Sequence, residues 1–525
     1  MTSKATCPYC YQTTADRNVF LMPSPQSSAD EIAHIRAEMR CIDNPLFKPH
    51  EERAALLRCL NAVRSSTRVL FPEILSLIFQ HASPAPDFFL EEGNVWPEHE
   101  PNPSFHLVVG SVSSLWREIV DSTPNLWTSI RVKTRSVQHT RRWTVFLLKS
   151  FEKSRSLPID IAFLRIGSSW QDSNHLFSSE VDEVLLKNCH RIRSLRLSHS
   201  IPLKWISTIP GLTGLRDLSI QSSQFIPHLS LLSNSLLNRL RVETPIRPLF
   251  LPTIPTSLTV LRLSHVPIDL CMQFLVNFRE LVEFRCYYPA PLDHDHTTSV
   301  LFNQISLDKL EVFQWTFLPE PFDSLDHLIL TRFEFPRLKT LSFVELLGAF
   351  HQYDEAVLTD FLRRLPLTLK DLEFYGIEHL SFLRDRLIPH IRKETQVISI
   401  FLRRCSESFL CDILSGLLRT NGGPIPLLHL NKILVESCMT NTEQAKVSDS
   451  LRRLTGRYLV EVLQQRCDVT DQFTFAVAFV SCLDWGQDTV DDLRRLVDEK
   501  GLGLRVLHQG VDILSDDDQD TSFAA

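Results

Sequence analysis

Glycine is scarce in this chain, 15 in 525 residues, and the scarcity removes several functions at once. No glycine-rich phosphate loop and no dinucleotide fingerprint occurs, because both need glycine where backbone must approach phosphate. Positive charge is lacking too. A net charge of −7 gives no electrostatic reason to expect a nucleic-acid or anionic-membrane partner. Long apolar runs are missing: none approaches the roughly 20 residues needed to cross a bilayer. The best candidate, Phe473 to Trp485, is interrupted by Ser481, Cys482 and Asp484. The start of the chain, "MTSKATCPYCYQ", lacks the basic-then-apolar pattern of a secretory signal. The twelve cysteines are therefore expected to be reduced thiols in a cytoplasmic or nuclear protein.

Catalytic signatures are absent as well. There is no G-x-S-x-G, Walker or kinase pattern, and "HEERA" at His50 has Ala54 where a zincin needs its second histidine. "CPYC", Cys7 to Cys10, has the gap of a zinc knuckle, but a closed structural site takes four ligands. Cys41, Cys59, His34 and His50 stand nearest, at irregular spacing. Asp293 to His296, "DHDH", reads as a solvated loop. No catalytic residue, no metal and no cofactor is expected. A zinc-dependent binding module on Cys7 and Cys10 is the third and weakest reading.

What is present is enough apolar sequence for a core, 43% hydrophobic against 22% charged. Residues 1–66 form a polar leader and a helical segment, with Ile32, Ile35, Met39 and Ile42, then Leu56, Leu57, Leu60 and Val63, at helical spacing. Residues 67–131 hold two apolar helices split by a proline- and acid-rich loop at 83–104. In the first, "LFPEILSLIF", Pro72 suits an opening helical turn and Glu73 its positive end. Ile74, Leu75, Ile78 and Phe79 are expected on one face. In the second, Val109, Val112, Trp116, Ile119 and Val120 recur at steps of three and four until Thr123-Pro124 ends the helix. An acidic tail, 513–525, closes the chain.

From about residue 190 the rhythm changes. An apolar-x-x-apolar-x-apolar hexamer recurs with its fourth position at Leu195, Leu218, Leu240, Leu261, Phe284, Phe313, Leu341 and Leu372. Successive steps are 23, 22, 21, 23, 29, 28 and 31 residues. Such a period is that of leucine-rich repeats, one strand per unit. The array is assigned to residues 132–512, with weaker copies at Val397-Ile400-Leu402, Ile425-Leu428-Leu430 and "GLGLRVL", and helix-like sequence between Glu436 and Lys500. Where such repeats usually carry Asn or Cys, this chain has Ser200, Ser223, Pro245, Val266, Pro289, Leu318, Leu346 and Ile377. Alternation along strands should leave Arg193, Arg196, Arg216, Arg239, Arg241 and Arg262 outward, as a basic strip. The fold class is α/β: a small all-α region, then a repeat solenoid.

Leu70, Pro72-Glu73-Ile74, Ile78-Phe79, Val112-Ser113, Trp116-Arg117, Ile119, Thr123-Pro124 and Leu126-Trp127 together resemble an F-box. More closely they are similar to the F-box-like proteins of mushroom-forming fungi, which pair this motif with an N-terminal Cys-x-x-Cys and irregular leucine-rich repeats. Phe71 and Ser113 stand where that pattern has proline and commonly cysteine. The resemblance implies a non-catalytic substrate receptor of a cullin–RING ubiquitin ligase. Leu70, Pro72, Glu73, Ile74, Leu75, Ile78, Phe79, Val112, Trp116, Ile119, Pro124, Leu126 and Trp127 would serve the adaptor subunit, some of them as core. The repeats would bind an unknown target protein and bring it near the conjugating enzyme. A repeat scaffold without ligase coupling is the alternative, with Phe71 its best support.

Overall fold

The computed structural model describes residues 67, 70–83, 105–134, 137–165, 179–198, 212–221, 236–243, 257–290, 304–317, 325–345, 355–377, 388, 391, 396–419, 423, 425–439, 448–466, 472–477, 487–501, 503–508, 511–512 and 514. The leader with Cys7 and Cys10, most of the 83–104 loop, Asp293–His296 and nearly all of the acidic tail lie outside them. The described chain divides into a helical unit ending at Trp127 and a sheet unit beginning at Thr128.

The helical unit contains α1 (Pro72–Ala82), α2 (Phe105–Val112), α3 (Ser114–Ser122) and a 3-10 turn, Pro124–Trp127. Pro72 does open α1, in the first turn where a missing N–H leaves nothing unpaired. Ser113 caps α3, its hydroxyl accepting from the Trp116 amide at 3.1 Å. Thr123 ends that helix in extended backbone, as a residue before proline must. The core is Leu75, Phe79, Val109, Ile119, Val120, Leu126 and Trp127. Trp127 Nε1 donates to the Val120 carbonyl at 2.9 Å, so the indole is buried without an orphaned donor.

The sheet unit is mixed α/β. Fifteen strands form one open sheet in which every neighbouring pair is parallel except the last. They begin with β1 (Ser129–Thr134), β2 (Ile159–Arg165), β3 (Ile192–Ser198), β4 (Asp217–Gln221), β5 (Arg239–Glu243), β6 (Val260–Ser264) and β7 (Glu283–Tyr287). A separate pair, β8 (Ile305–Ser306) and β10 (Phe333–Glu334), brackets β9 (Val312–Phe317) in sequence. The sheet continues with β11 (Thr340–Glu345), β12 (Asp371–Tyr375), β13 (Ser399–Ser406), β14 (Lys432–Met439), β15 (Gln472–Val477), β16 (Gly503–His508) and β17 (Val511–Asp512). Parallel neighbours need crossovers. Helices supply many of them: α4 (Val137–Lys153), α5 (Ser179–Asn188), α6 (Ile268–Asn277), α7 (Leu325–Arg332), α8 (Glu355–Arg363), α9 (Glu407–Gly416), α10 (Ser448–Arg466) and α11 (Gln487–Lys500).

The hexamer positions pair directly. Leu195 opposes Leu218, Leu218 opposes Leu240, and the series runs through Leu261, Phe284, Phe313, Leu341 and Leu372 to Ile400 without a slip. All are buried in one continuous core. A one-residue slip would turn the whole row to the opposite face. Packing among the larger members is aromatic: the Phe313 ring lies 6.0 Å from Phe284 and 4.6 Å from Phe335.

Three expectations change. The first strand begins at Ser129, ahead of the array assigned from residue 132, so residues 129–131 belong to the sheet rather than to the helical region. The Ile425-Leu428-Leu430 copy is a turn. Leu427 there adopts a left-handed φ of 45°, and the strand follows at Lys432. Arg466 secures this turn from the end of α10, donating to the Leu427 carbonyl at 2.9 Å and to that of Pro426. The supposed helical interval 436–500 contains β15 and the end of β14. At the usual Asn or Cys position, Val266, Pro289 and Ile377 are buried apolar residues instead. Backbone bonds serve there, Ala290 N to the Val266 carbonyl at 2.9 Å and Ser406 N to that of Ile377 at 2.8 Å.

Candidate functional site

Two surfaces stand out, one in each unit. In the helical unit, α1 does not bury a single apolar face. Leu75 and Phe79 point into the core, while Ile74, Leu77 and Ile78 are exposed together with Phe71. Successive helical residues are 100° apart, so positions 75 and 79 make one stripe and 74 and 78 its neighbour. Leu107, Val108, Val112 and Leu115 are likewise exposed on α2 and α3. Large apolar side chains left outward in numbers mark a surface made for a partner more often than a solvated one.

Of the anticipated adaptor residues, Ile74, Ile78 and Val112 are exposed, as are Pro72 and Glu73. Leu70, Trp116 and Pro124 are half-buried. Leu75, Phe79, Ile119, Leu126 and Trp127 are core, and no partner can touch them directly. Trp116 packs on Phe79, ring centroids 4.8 Å apart. Leu77, Leu107, Val108 and Leu115 were missed, although the i, i+4 spacing of Val108 and Val112 was there to read. Phe71 sits at φ −61°, ψ 145°, a value proline would itself impose. Its carbonyl accepts from the amides of Ile74 and Leu75 at 3.0 and 3.1 Å. The turn into α1 thus forms without the proline, and Phe71 is left 72% exposed.

In the sheet unit, the face opposite the core carries a polar row. Arg241, Arg262, Arg285, Gln314, Ser342 and Glu373 occupy one register position on successive strands. Three adjacent guanidiniums about 4.8 Å apart would repel one another were they not interleaved with carboxylates. Arg262 and Arg285 both donate to Glu283 Oε1, at 2.6 and 2.9 Å. Arg285 also reaches Gln314 at 3.0 Å and Glu373 at 3.6 Å, and Arg241 pairs with Glu243. Burial works to raise the Glu283 pKa, but the two arginines outweigh it and hold the carboxyl below its ordinary value. The exposed basic strip therefore does not exist in the expected form. Arg196, Arg241 and Arg262 are buried, and only Arg193 and Arg216 of the six are fully exposed, with Arg239 half-buried. Pairing along the same strand for Arg241 and across strands for Arg262 holds these side chains against the sheet.

A cleft of about 220 Å³ opens beside this row. Arg241, Glu243, Gln314 and Glu373 line it below, and Tyr287, Tyr288, Tyr375, Arg403 and Arg404 line its rim at the carboxyl ends of the strands. Four residues here have positive φ: His265 (60°), Tyr288 (49°) and Gly376 (70°) just past strand ends, and Arg404 (51°) at the register shift inside β13. Only glycine adopts this region freely, so each of the other three stores about 1–3 kcal/mol of strain. Such turns swing side chains out of the strand alternation and toward the rim. The His265 and Tyr288 rings stack at 5.6 Å, and the Arg404 guanidinium lies 5.7 Å from the centre of the Tyr375 ring. Burial, then the neighbouring Tyr288, push the Tyr375 phenol above its ordinary pKa although Arg404 pulls the other way, so it stays a protonated donor at neutral pH. No sequence rule marked these turn residues, since none of the three strained ones is glycine or asparagine.

Among the described residues no group of side chains is arranged to hold a metal ion, and no helix is long and apolar enough to cross a membrane. No family model matches the chain, and no curated protein matches it.

Proposed function

We propose that the chain is a substrate receptor of a cullin–RING ubiquitin ligase, its helical unit an F-box and its sheet a leucine-rich-repeat solenoid. The observation that carries this reading is the exposed apolar stripe of α1. Ile74 and Ile78 are outward at positions where the F-box resemblance expects adaptor contacts, with Val112 outward in the second half of the motif. In-register pairing of the hexamer positions from Leu195 to Ile400 supports the repeat reading of the sheet. Since Phe71 keeps a proline-like turn, its presence gives little support to a scaffold that lacks ligase coupling.

The test is a pull-down of purified adaptor subunit by the full-length chain. Ile74→Asp and Val112→Asp should each weaken capture by more than about tenfold, because an uncompensated carboxylate would be desolvated at the interface. Thermal melting should stay unchanged for these exposed sites. A correctly folded wild-type chain that captures no adaptor overturns the ligase reading and leaves the scaffold.

A further inference from the structure

Among the described residues, one cation on the rim of the sheet cleft has no carboxylate within ion-pair distance. Arg241 pairs with Glu243, and Arg403 pairs with Glu436 at 3.0 Å. Glu373, the other acid in the lining, pairs with Arg285. Arg404, held over Tyr375 by a left-handed backbone, meets no carboxylate within ion-pair distance among the described residues. Three arginines against two glutamates leave the lining one positive charge in excess. That matches a monoanion. A phosphate dianion would have to approach Glu243 and Glu373, and a nucleic acid would need several free cations along a track.

Size narrows the ligand further. A volume of about 220 Å³ falls below the roughly 300–1,000 Å³ of pockets that enclose a whole small molecule. It suits one or two residues of a larger partner. The remaining lining offers flat aromatic surface at Tyr287, Tyr288 and Tyr375 and acceptors at Gln314 and Ser342, groups that meet peptide side chains and amides.

We propose that this cleft receives a carboxylate carried by an extended segment of the target protein, seated on the Arg404 guanidinium beside Tyr375. The inference rests on the reading of the sheet as a target surface. The carboxylate can come from an aspartate or glutamate side chain or from a chain terminus, and in either case a guanidinium fork is the matching receptor.

Two random peptide libraries, one displaying internal segments and one displaying free carboxyl termini, would be panned on the full-length chain. Enrichment of Asp or Glu in the first, or of free-terminus binders in the second, is expected and tells the two sources apart. A selected peptide is then resynthesised with the carboxylate converted to amide, and with phosphoserine in its place. The amide should bind about tenfold more weakly than the acid to the wild type. Arg404→Gln should erase that difference while melting as the wild type does. Should Arg404→Gln fold poorly at this left-handed position, Arg404→Gly keeps the backbone, lacks the guanidinium, and decides the matter. The proposal falls if no acidic preference emerges, if an Arg404 variant keeps the acid-over-amide ratio, or if the phosphoserine peptide binds tightest. Adaptor capture by the same variants is measured in parallel. Capture by a wild-type chain that shows no acid-over-amide preference would overturn the cleft proposal alone, and a wild-type chain that prefers the acid but captures no adaptor would overturn the ligase reading alone.

Discussion

The two units treat their side chains in opposite ways. Eight of the sixteen exposed large apolar residues among the described ones, Phe71 through Leu115, belong to the short helical unit. The much longer sheet hides whole rows of leucine and phenylalanine and draws even arginines down to a few per cent exposure. Length explains part of this. Each strand of the sheet except the two at its ends has a neighbour on either side to cover it, and burial is shared along the array. The three described helices have too little interior between them for everything apolar they carry. The lesson is that exposure means different things in the two places. On α1 an exposed isoleucine is the feature, whereas in the sheet cleft the feature is Arg404, which meets no carboxylate among the described residues.

Substitutions can break this contrast. The largest effect is expected in the sheet. Phe313→Ala removes a ring stacked on both Phe284 and Phe335 and should destabilise the protein by about 4 kcal/mol in denaturant unfolding. The helical unit supplies a sharper version within one helix. Leu75→Ala should destabilise by about 3 kcal/mol, since the side chain is 1% exposed. Ile78→Ala, three residues along and outward, should change stability by less than about 0.5 kcal/mol. Equal losses at the two positions would mean that the stripe is core, and would remove the basis for a docking face.

Much of the sheet was legible because its signal is redundant. Eight hexamers each nominate a buried leucine or phenylalanine, and the pairing of Leu195 with Leu218 and onward follows from that one repeated position. Where the repeat changed, reading failed. Before residue 190 the hexamer is present but isolated from the even series. "WTSIRV" carries it at Trp127, Ile130 and Val132, and "PIDIAF" has proline in the first place, with Ile130 opposing Ile161 and Ile161 opposing Leu195. Near residue 427 a left-handed leucine turns the chain where a strand was expected. The candidate sites were legible only in part. Helical spacing identifies an amphipathic segment but cannot say which of two adjacent stripes, Leu75–Phe79 or Ile74–Ile78, turns inward, since both are equally apolar. Arg241 and Arg262 were expected outward from alternation alone. Their burial goes with Glu243, two residues along the same strand from Arg241, and with Glu283, which the folded register brings beside Arg262.

An effect smaller than either core loss tests that last point through pH. Glu283 accepts from both Arg262 and Arg285, and its folded pKa lies below the ordinary 4.5. A carboxyl whose pKa is depressed by folding contributes its full stabilisation above the unfolded value and loses it as pH falls through the folded one. At neutral pH, Glu283→Gln should therefore cost about 2 kcal/mol, the worth of hydrogen bonds between charged groups over neutral ones. As pH falls below the ordinary 4.5 the unfolded chain takes up the proton first and the advantage begins to shrink, and the gap between the two proteins should close as pH falls through the lower folded value. Denaturant midpoints measured side by side from pH 7 to pH 3 would show the two curves converging. Parallel curves would mean that Glu283 is not what holds the arginine row to the sheet, and that the row is buried by packing of its aliphatic stems.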